Sequence, residues 1–176
     1  MDIRNNQKGI GLPATSGLTI EMETATKRDL NRILELQKKA FHGQALIYND
    51  FNLPPLTQTI DELRGEAGHK TIYKLVEGGE IIASVRCYIE DDTLYIEKLV
   101  VDPDFQNRGI GTSIVREIED RYSHTVNKYA LFTGDRSKRN LHIYRKLGYR
   151  ETRREPTGKG YELIHMEKSR DSKRHK

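Results

Sequence analysis

The sequence predicts a mixed α+β fold: a central, mostly antiparallel sheet of about seven strands with helices on both faces. Three observations predict it. Three strand-like runs follow one another at TIYKLVE (71–77), EIIASVRCYIE (80–90) and TLYIEKLVV (93–101), separated only by Gly78-Gly79 and Asp91-Asp92. Glycine and aspartate tolerate the positive φ of tight hairpins, so these runs form an antiparallel meander. Helical periodicity both precedes and follows the meander, and the chain reads β-α-α-β-β-β-α-β-α-β-β, an order that lets helices cover both faces of one sheet.

Taken in order, residues 1–17 are polar and glycine-containing and form an N-terminal extension. LTIEMETA (18–25) is a strand. Thr26 then caps a helix, with Asp29 three residues on, and Leu30, Ile33, Leu34 and Phe41 recur at helical spacing. IYNDFNLPPLTQT (47–59) is a loop that leads into a short helix, TIDELRGEA (59–67). After the meander Pro103 ends the third strand, because it has no N–H for the ladder. A helix carrying Ile114, Val115, Ile118 and Tyr122 on one stripe follows, then a short buried strand YALFTG (129–134). SKRNLHIYRKLG (137–148) is a second helix stopped by Gly148. Two strands close the fold near 149–155 and 160–168. No repeat or linker interrupts residues 18–168, which form one domain, and 169–176 are a basic C-terminal tail.

Composition narrows the function. No apolar run of the 176-residue chain approaches the ~18 residues of a membrane span, and the N-terminus lacks the apolar core of a secretory signal, so a cytoplasmic protein is expected. One cysteine, Cys87, lies in an apolar strand and reads as a buried thiol. Six histidines show no paired metal-ligand spacing, so no metal is expected. The net charge of +4 resides in the end of the chain: KSRDSKRHK (168–176) holds five basic groups and one acid, and the remainder balances. A basic end of this kind is usually solvated, and a nucleic-acid partner is not expected.

The stretch Gln106-Asn107-Arg108-Gly109-Ile110-Gly111-Thr112 lies between a strand and a helix. Free N–H groups at a helix start, aligned with the helix dipole, form an anion site. Gly109 and Gly111 let the backbone approach a phosphate without a Cβ in the way. The P-loop pattern fails for want of its lysine. The dinucleotide pattern fails because Ile114 stands at its third glycine.

A third pattern fits. LVVDPDFQNRGIG resembles the pyrophosphate loop of the GCN5-related N-acetyltransferases (GNAT superfamily), and NLHIYRKLGY, with Asn140, Tyr144, Gly148 and Tyr149, resembles that family's second motif. The resemblance covers roughly residues 18–168. It implies acetyl-CoA as co-substrate and an amine acceptor, joined by direct transfer in a ternary complex. Leu99, Val100, Val101, residues Gln106 to Thr112, Asn140 and Tyr144 would then contact the cofactor. The strand at Leu99-Val100-Val101 is expected to splay through a bulge and free N–H groups for the thioester carbonyl.

In that reaction the amine must lose a proton and the leaving thiolate must gain one. The resemblance makes Tyr144 the acid; its alternative role is packing on the stripe with Leu141 and Leu147. Glu97 is the expected base, since a carboxylate in the apolar run TLYIEKLVV needs a partner or a wet cleft; its alternative is an ion pair with Arg86 or another strand neighbour. Tyr95 lies on the same strand face and is a reserve for orienting the amine. The region after the first helix, with Phe41, Tyr48, Asn49, Asp50 and Phe51, is the expected acceptor wall, and the same residues read equally as a plain loop. Polyamines, aminoglycosides, amino acids and peptide N-termini all remain open, and a homodimer is compatible with the sequence. The competing function is a non-catalytic acyl-CoA-binding sensor or subunit of the same fold.

Overall fold

The computed structural model describes residues 21–170. The extension 1–17, the first three residues expected in the opening strand and tail residues 171–176 lie outside that range. Seven strands form one sheet in the order β1-β2-β3-β4-β5-β7-β6. They are β1 (Glu21–Thr24), β2 (Thr71–Glu77), β3 (Glu80–Glu90), β4 (Thr93–Val101), β5 (Lys128–Gly134), β6 (Arg150–Pro156) and β7 (Glu162–Ser169). Every neighbouring pair is antiparallel except β4 and β5, which run parallel. The β2-β3-β4 meander turns at the predicted pairs, and Gly78, Gly79, Asp91 and Asp92 all take positive φ there.

Among the described residues five α-helices accompany the sheet: α1 (Leu30–Tyr48), α2 (Pro54–Thr57), α3 (Ile60–Ala67), α4 (Ile110–Tyr122) and α5 (Lys138–Lys146). The Thr26 signal works, since the Asp29 carboxylate accepts the Thr26 N–H at 2.8 Å, though a 3-10 turn at Lys27–Asp29 precedes α1. Helix α1 also runs past Phe41 into the segment expected as loop. Its last turn is poorly marked because Leu46 and Ile47 are exposed, and it stops at Asn49, whose left-handed conformation (φ 49°) closes the helix. Thr59 and Glu62 form the reciprocal cap that starts α3.

Helices α4 and α5 pack on one face of the sheet. There Val85, Cys87, Leu94 and Ile96 meet Ile114, Val115, Ile118, Leu141 and Tyr144 in the main core. Helices α1 and α3 take the other face, with Leu30, Ile33, Leu34, Leu63 and Ile72 in a smaller core. That second face also holds Arg86, only 1% exposed. Its guanidinium donates to Gln37 of α1, to Gln58 at 3.2 Å and to Glu66 of α3 at 2.5 Å. One buried cation therefore ties two helices to the sheet. Arg86→Met leaves Glu66 without its counter-charge and is expected to cost about 3 kcal/mol. The loss should appear as a lower urea midpoint with an unchanged slope.

Candidate active site

The cleft begins where β4 leaves β5. Their ladder holds only from Thr93–Lys128 to Tyr95–Ala130, so the β4 edge beyond Tyr95 has no strand on that side. On its other side β4 pairs with β3 through a register shift: Arg86 faces Glu97, yet Ser84 faces Val100, so β4 carries one extra residue. Lys98 takes φ 48° at this point. The bulge lies one residue before the run Leu99-Val100-Val101 in which it was expected. Glu97 faces the α1/α3 side and Lys98 shares its electrostatic surroundings, whereas Leu99 and Val101 pack against the α4/α5 core.

The glycine turn follows directly. Asp102 caps a 3-10 turn at Pro103–Phe105, and the Gln106 amide donates back to the Val101 carbonyl at 3.1 Å. Asn107 (φ 64°) and Gly109 (φ 76°) then take left-handed conformations that swing the backbone into α4. As a result the N–H groups of Asn107 through Thr112 have no hydrogen-bond acceptor among the described residues; the first helical bond into this turn is Ser113 N–H to Gly109 O. Six donors in sequence at the positive end of a helix suit a pyrophosphate. A Cβ at Gly111 would meet only Leu99 Cδ2, at 3.9 Å, so the space in front of the turn is open. Two guanidinium groups attend it. Arg139 donates to Gln106 Oε1 at 3.1 Å, and Arg108 lies 5.0 Å over the Phe105 ring.

Helix α5 brings the second motif to the same face. The Asn140 amide donates to Thr133 of β5 at 3.3 Å. Tyr144 is 7% exposed, and its hydroxyl has no hydrogen-bond partner among the described residues. Burial pushes this phenol up to about 12, so it keeps its proton at neutral pH. Neighbouring Tyr149 differs, because its hydroxyl is already given to Glu119 at 2.9 Å. Tyr144 is therefore the tyrosine of this motif with a proton to donate.

On the opposite face Glu97 accepts a hydrogen bond from Lys70 Nζ at 2.6 Å. Arg86 is its register partner, but that guanidinium turns away to Glu66. Lys70 sits 5.2 Å over the Tyr88 ring, and Tyr88 stacks on Tyr95 with centroids 5.0 Å apart. Lys98 is half-buried and has no ion-pair partner within 4 Å among the described residues. Burial lowers its pKa first and the Arg86 charge lowers it further, against the pull of Glu66 and Glu97. Sequence reasoning passed over both lysines. The signal for Lys98 was present: two consecutive charges, Glu97 and Lys98, break the alternation of a half-buried strand and mark a bulge.

The expected acceptor wall divides. Tyr95 shares the Glu97 strand face. Tyr48 does not stand free: it is buried, its hydroxyl accepts the Arg136 N–H at 3.0 Å and bonds Ser137 at 2.9 Å, and its ring packs 4.6 Å from Tyr161. Asp50 is likewise engaged, paired with Lys159 at 2.9 Å and accepting the Asn52 N–H. Together Tyr48 and Asp50 fasten the end of α1 to the β5–α5 turn and to the β6–β7 connection. Phe41 is half-buried on α1, and Phe51 is exposed beside His42. Cys87 is buried and its thiol is pushed up to about 11 by desolvation. Among the described residues no group of three His, Cys, Asp or Glu side chains could hold a metal ion, and no helix is long and apolar enough to cross a membrane.

The family model described as Acetyltransferase (GNAT) family matches residues 30–149, a span that includes the bulge, the glycine turn and Tyr144. S-(2-succino)cysteine N-acetyltransferase of Bacillus subtilis (strain 168) is 24% identical over 154 residues, covering 82% of this chain and 92% of that protein. The fold is similar to that of the ribosomal-protein-S18-alanine N-acetyltransferase from Escherichia coli, with a TM-score of 0.72 and 16% identity over 86% of this chain and 94% of that one. It is also similar to spermidine N-acetyltransferase from Vibrio cholerae in complex with CoA and spermine, with a TM-score of 0.68 and 14% identity over 86% and 95% of the two chains.

Proposed function

Because this chain belongs to the acetyltransferase (GNAT) family and is an N-acetyltransferase, we propose that it binds acetyl-CoA at the Asn107–Thr112 turn and that Glu97 and Tyr144 move the two protons of a direct transfer to a primary amine. The observation that carries the proposal is the row of six unpaired N–H groups beside the freed edge of β4. Acetyl-CoA supplies the activated acetyl group. Asn107 to Thr112 hold its pyrophosphate, with Arg108 and Arg139 adding positive charge. The β4 edge from Leu99 to Val101 offers N–H groups to the chain of amides and to the carbonyl oxygen as it gains charge.

Two side chains complete the reaction from opposite faces. Glu97, steadied by Lys70, takes a proton from the incoming amine, directly or through a water. The nitrogen forms its bond to the acetyl carbon, the carbon–sulfur bond breaks, and Tyr144 gives its proton to the departing sulfur. Tyr95 borders the approach of the amine. In this reading transfer is direct, in keeping with a single cysteine that is buried, with a raised pKa, and poorly suited to carry an acyl group.

Mass spectrometry of pooled polyamines, aminoglycosides, amino acids and short peptides incubated with acetyl-CoA tests the proposal. One or more acceptors should gain a single acetyl group; acetyl-CoA left unbound and unconsumed would refute it. Glu97→Gln should shift the activity profile toward higher pH, where free amine exists without assistance. An unshifted profile would return Glu97 to a purely structural pairing with Lys70.

A further inference from the structure

Resting on the acetyl-transfer reading, we propose that the acceptor amine carries a carboxylate and that the Lys98 ammonium binds it. The argument begins with the two faces of the sheet. The glycine turn, Asn140 and Tyr144 all belong to the α4/α5 side, so the acetyl group is presented from there. The amine must then come from the α1/α3 side, where β4 presents Tyr95, Glu97 and Lys98.

That side carries unbalanced charge. Lys70, Arg86 and Lys98 form one electrostatic group with Glu66 and Glu97. Lys70 is matched by Glu97 at 2.6 Å and Arg86 by Glu66 at 2.5 Å. Lys98 is left over: it is half-buried, held on the bulge, and makes no ion pair within 4 Å among the described residues, while Arg86 and Lys70 repel it and Glu66 and Glu97, each already paired, attract it from farther off. A second donor points to the same deficit, since Arg86 Nε is buried and has no acceptor among the described residues. An ammonium partly stripped of water and without a direct ion-pair partner is costly, and a ligand carboxylate in contact with it lowers that cost. The same arrangement repels a polyamine, which would add further positive charge to a group already in surplus. It also disfavours the protonated form of an amine brought near it, which helps Glu97.

Acetylation rates for matched acceptors test the idea: S-methylcysteine, glutamate and phenylalanine, each beside its decarboxylated amine, with spermidine as the polycation. The carboxylated member should be preferred by about tenfold or more in kcat/KM, a difference of ~1.4 kcal/mol. Lys98→Met should raise the KM for the carboxylated acceptor about tenfold while moving acetyl-CoA affinity by less than about twofold, and Lys98→Arg should recover most of the loss. Equal or better use of the decarboxylated amines or of spermidine would overturn the proposal. So would an unchanged acceptor KM in Lys98→Met, or acetyl-CoA binding with no carboxylated amine acetylated. Loss of acetyl-CoA binding altogether would overturn the acetyl-transfer reading itself, and calorimetry with acetyl-CoA alone separates the two failures.

Discussion

Tyr144→Phe is expected to lower kcat by about 100-fold, the usual size of a lost general acid, while leaving acetyl-CoA affinity nearly unchanged. The aromatic ring fills its place in the α4/α5 core, and only the oxygen is removed. That oxygen has no hydrogen-bond partner among the described residues, so its loss should not destabilise the fold. The substitution breaks no protein hydrogen bond, so the variant should melt at about the same temperature as the wild type. A packing residue would show neither the kinetic loss nor this separation of kcat from stability. The pH profile adds a check. With burial holding the phenol near 12, the neutral acid persists through alkaline pH, and the activity of the wild type should not fall from ionisation of Tyr144 until pH approaches that value. Wild-type turnover in Tyr144→Phe would end its assignment as the acid.

Gly111→Val is expected to weaken acetyl-CoA binding by about 100-fold, or ~2.7 kcal/mol, with the fold intact. Gly111 sits in the first turn of α4 at a position whose Cβ would make only an ordinary contact with Leu99. Valine is also a better helix residue than glycine by a few tenths of a kcal/mol, so stability should hold. Its methyl groups would stand in front of the N–H groups of Asn107 to Thr112 and keep phosphate oxygens at a distance. Gly111→Ala should fall between the two. Isothermal titration of folded variants decides the matter, and equal affinity in all three would place the pyrophosphate elsewhere.

Much of this fold could be read locally. The meander declares itself through two turn dipeptides. The glycine turn is legible because the left-handed backbone at Gly109 calls for glycine at that place. The seven strands and the covering of both faces follow from element order. Other features depend on partners far apart in sequence. Glu97 meets Lys70 across 27 positions, and Tyr48 meets Ser137 across 89. No periodicity within either segment shows such pairing. For that reason Tyr48 and Asp50, read either as acceptor wall or as plain loop, gave no sign in the sequence of the bonds that fasten them to the β5–α5 turn and the β6–β7 connection. Lys70 and Lys98, which the sequence did not single out, share the surroundings of Glu97 on β4.

By itself the sequence determined the order of strands along the chain and the glycine turn, because each depends on residue type and near neighbours, and it nominated Tyr144 and Glu97 for the proton transfers. The tertiary structure alone decided where β4 leaves β5, that Tyr144 rather than Tyr149 keeps its hydroxyl unpaired, and that half-buried Lys98 makes no ion pair within 4 Å among the described residues. Those properties arise from burial and from counting charges across strands and helices brought together from distant parts of the chain. Only the folded sheet, with its bulge at Lys98, sets which side chains share a face and which of them water no longer reaches.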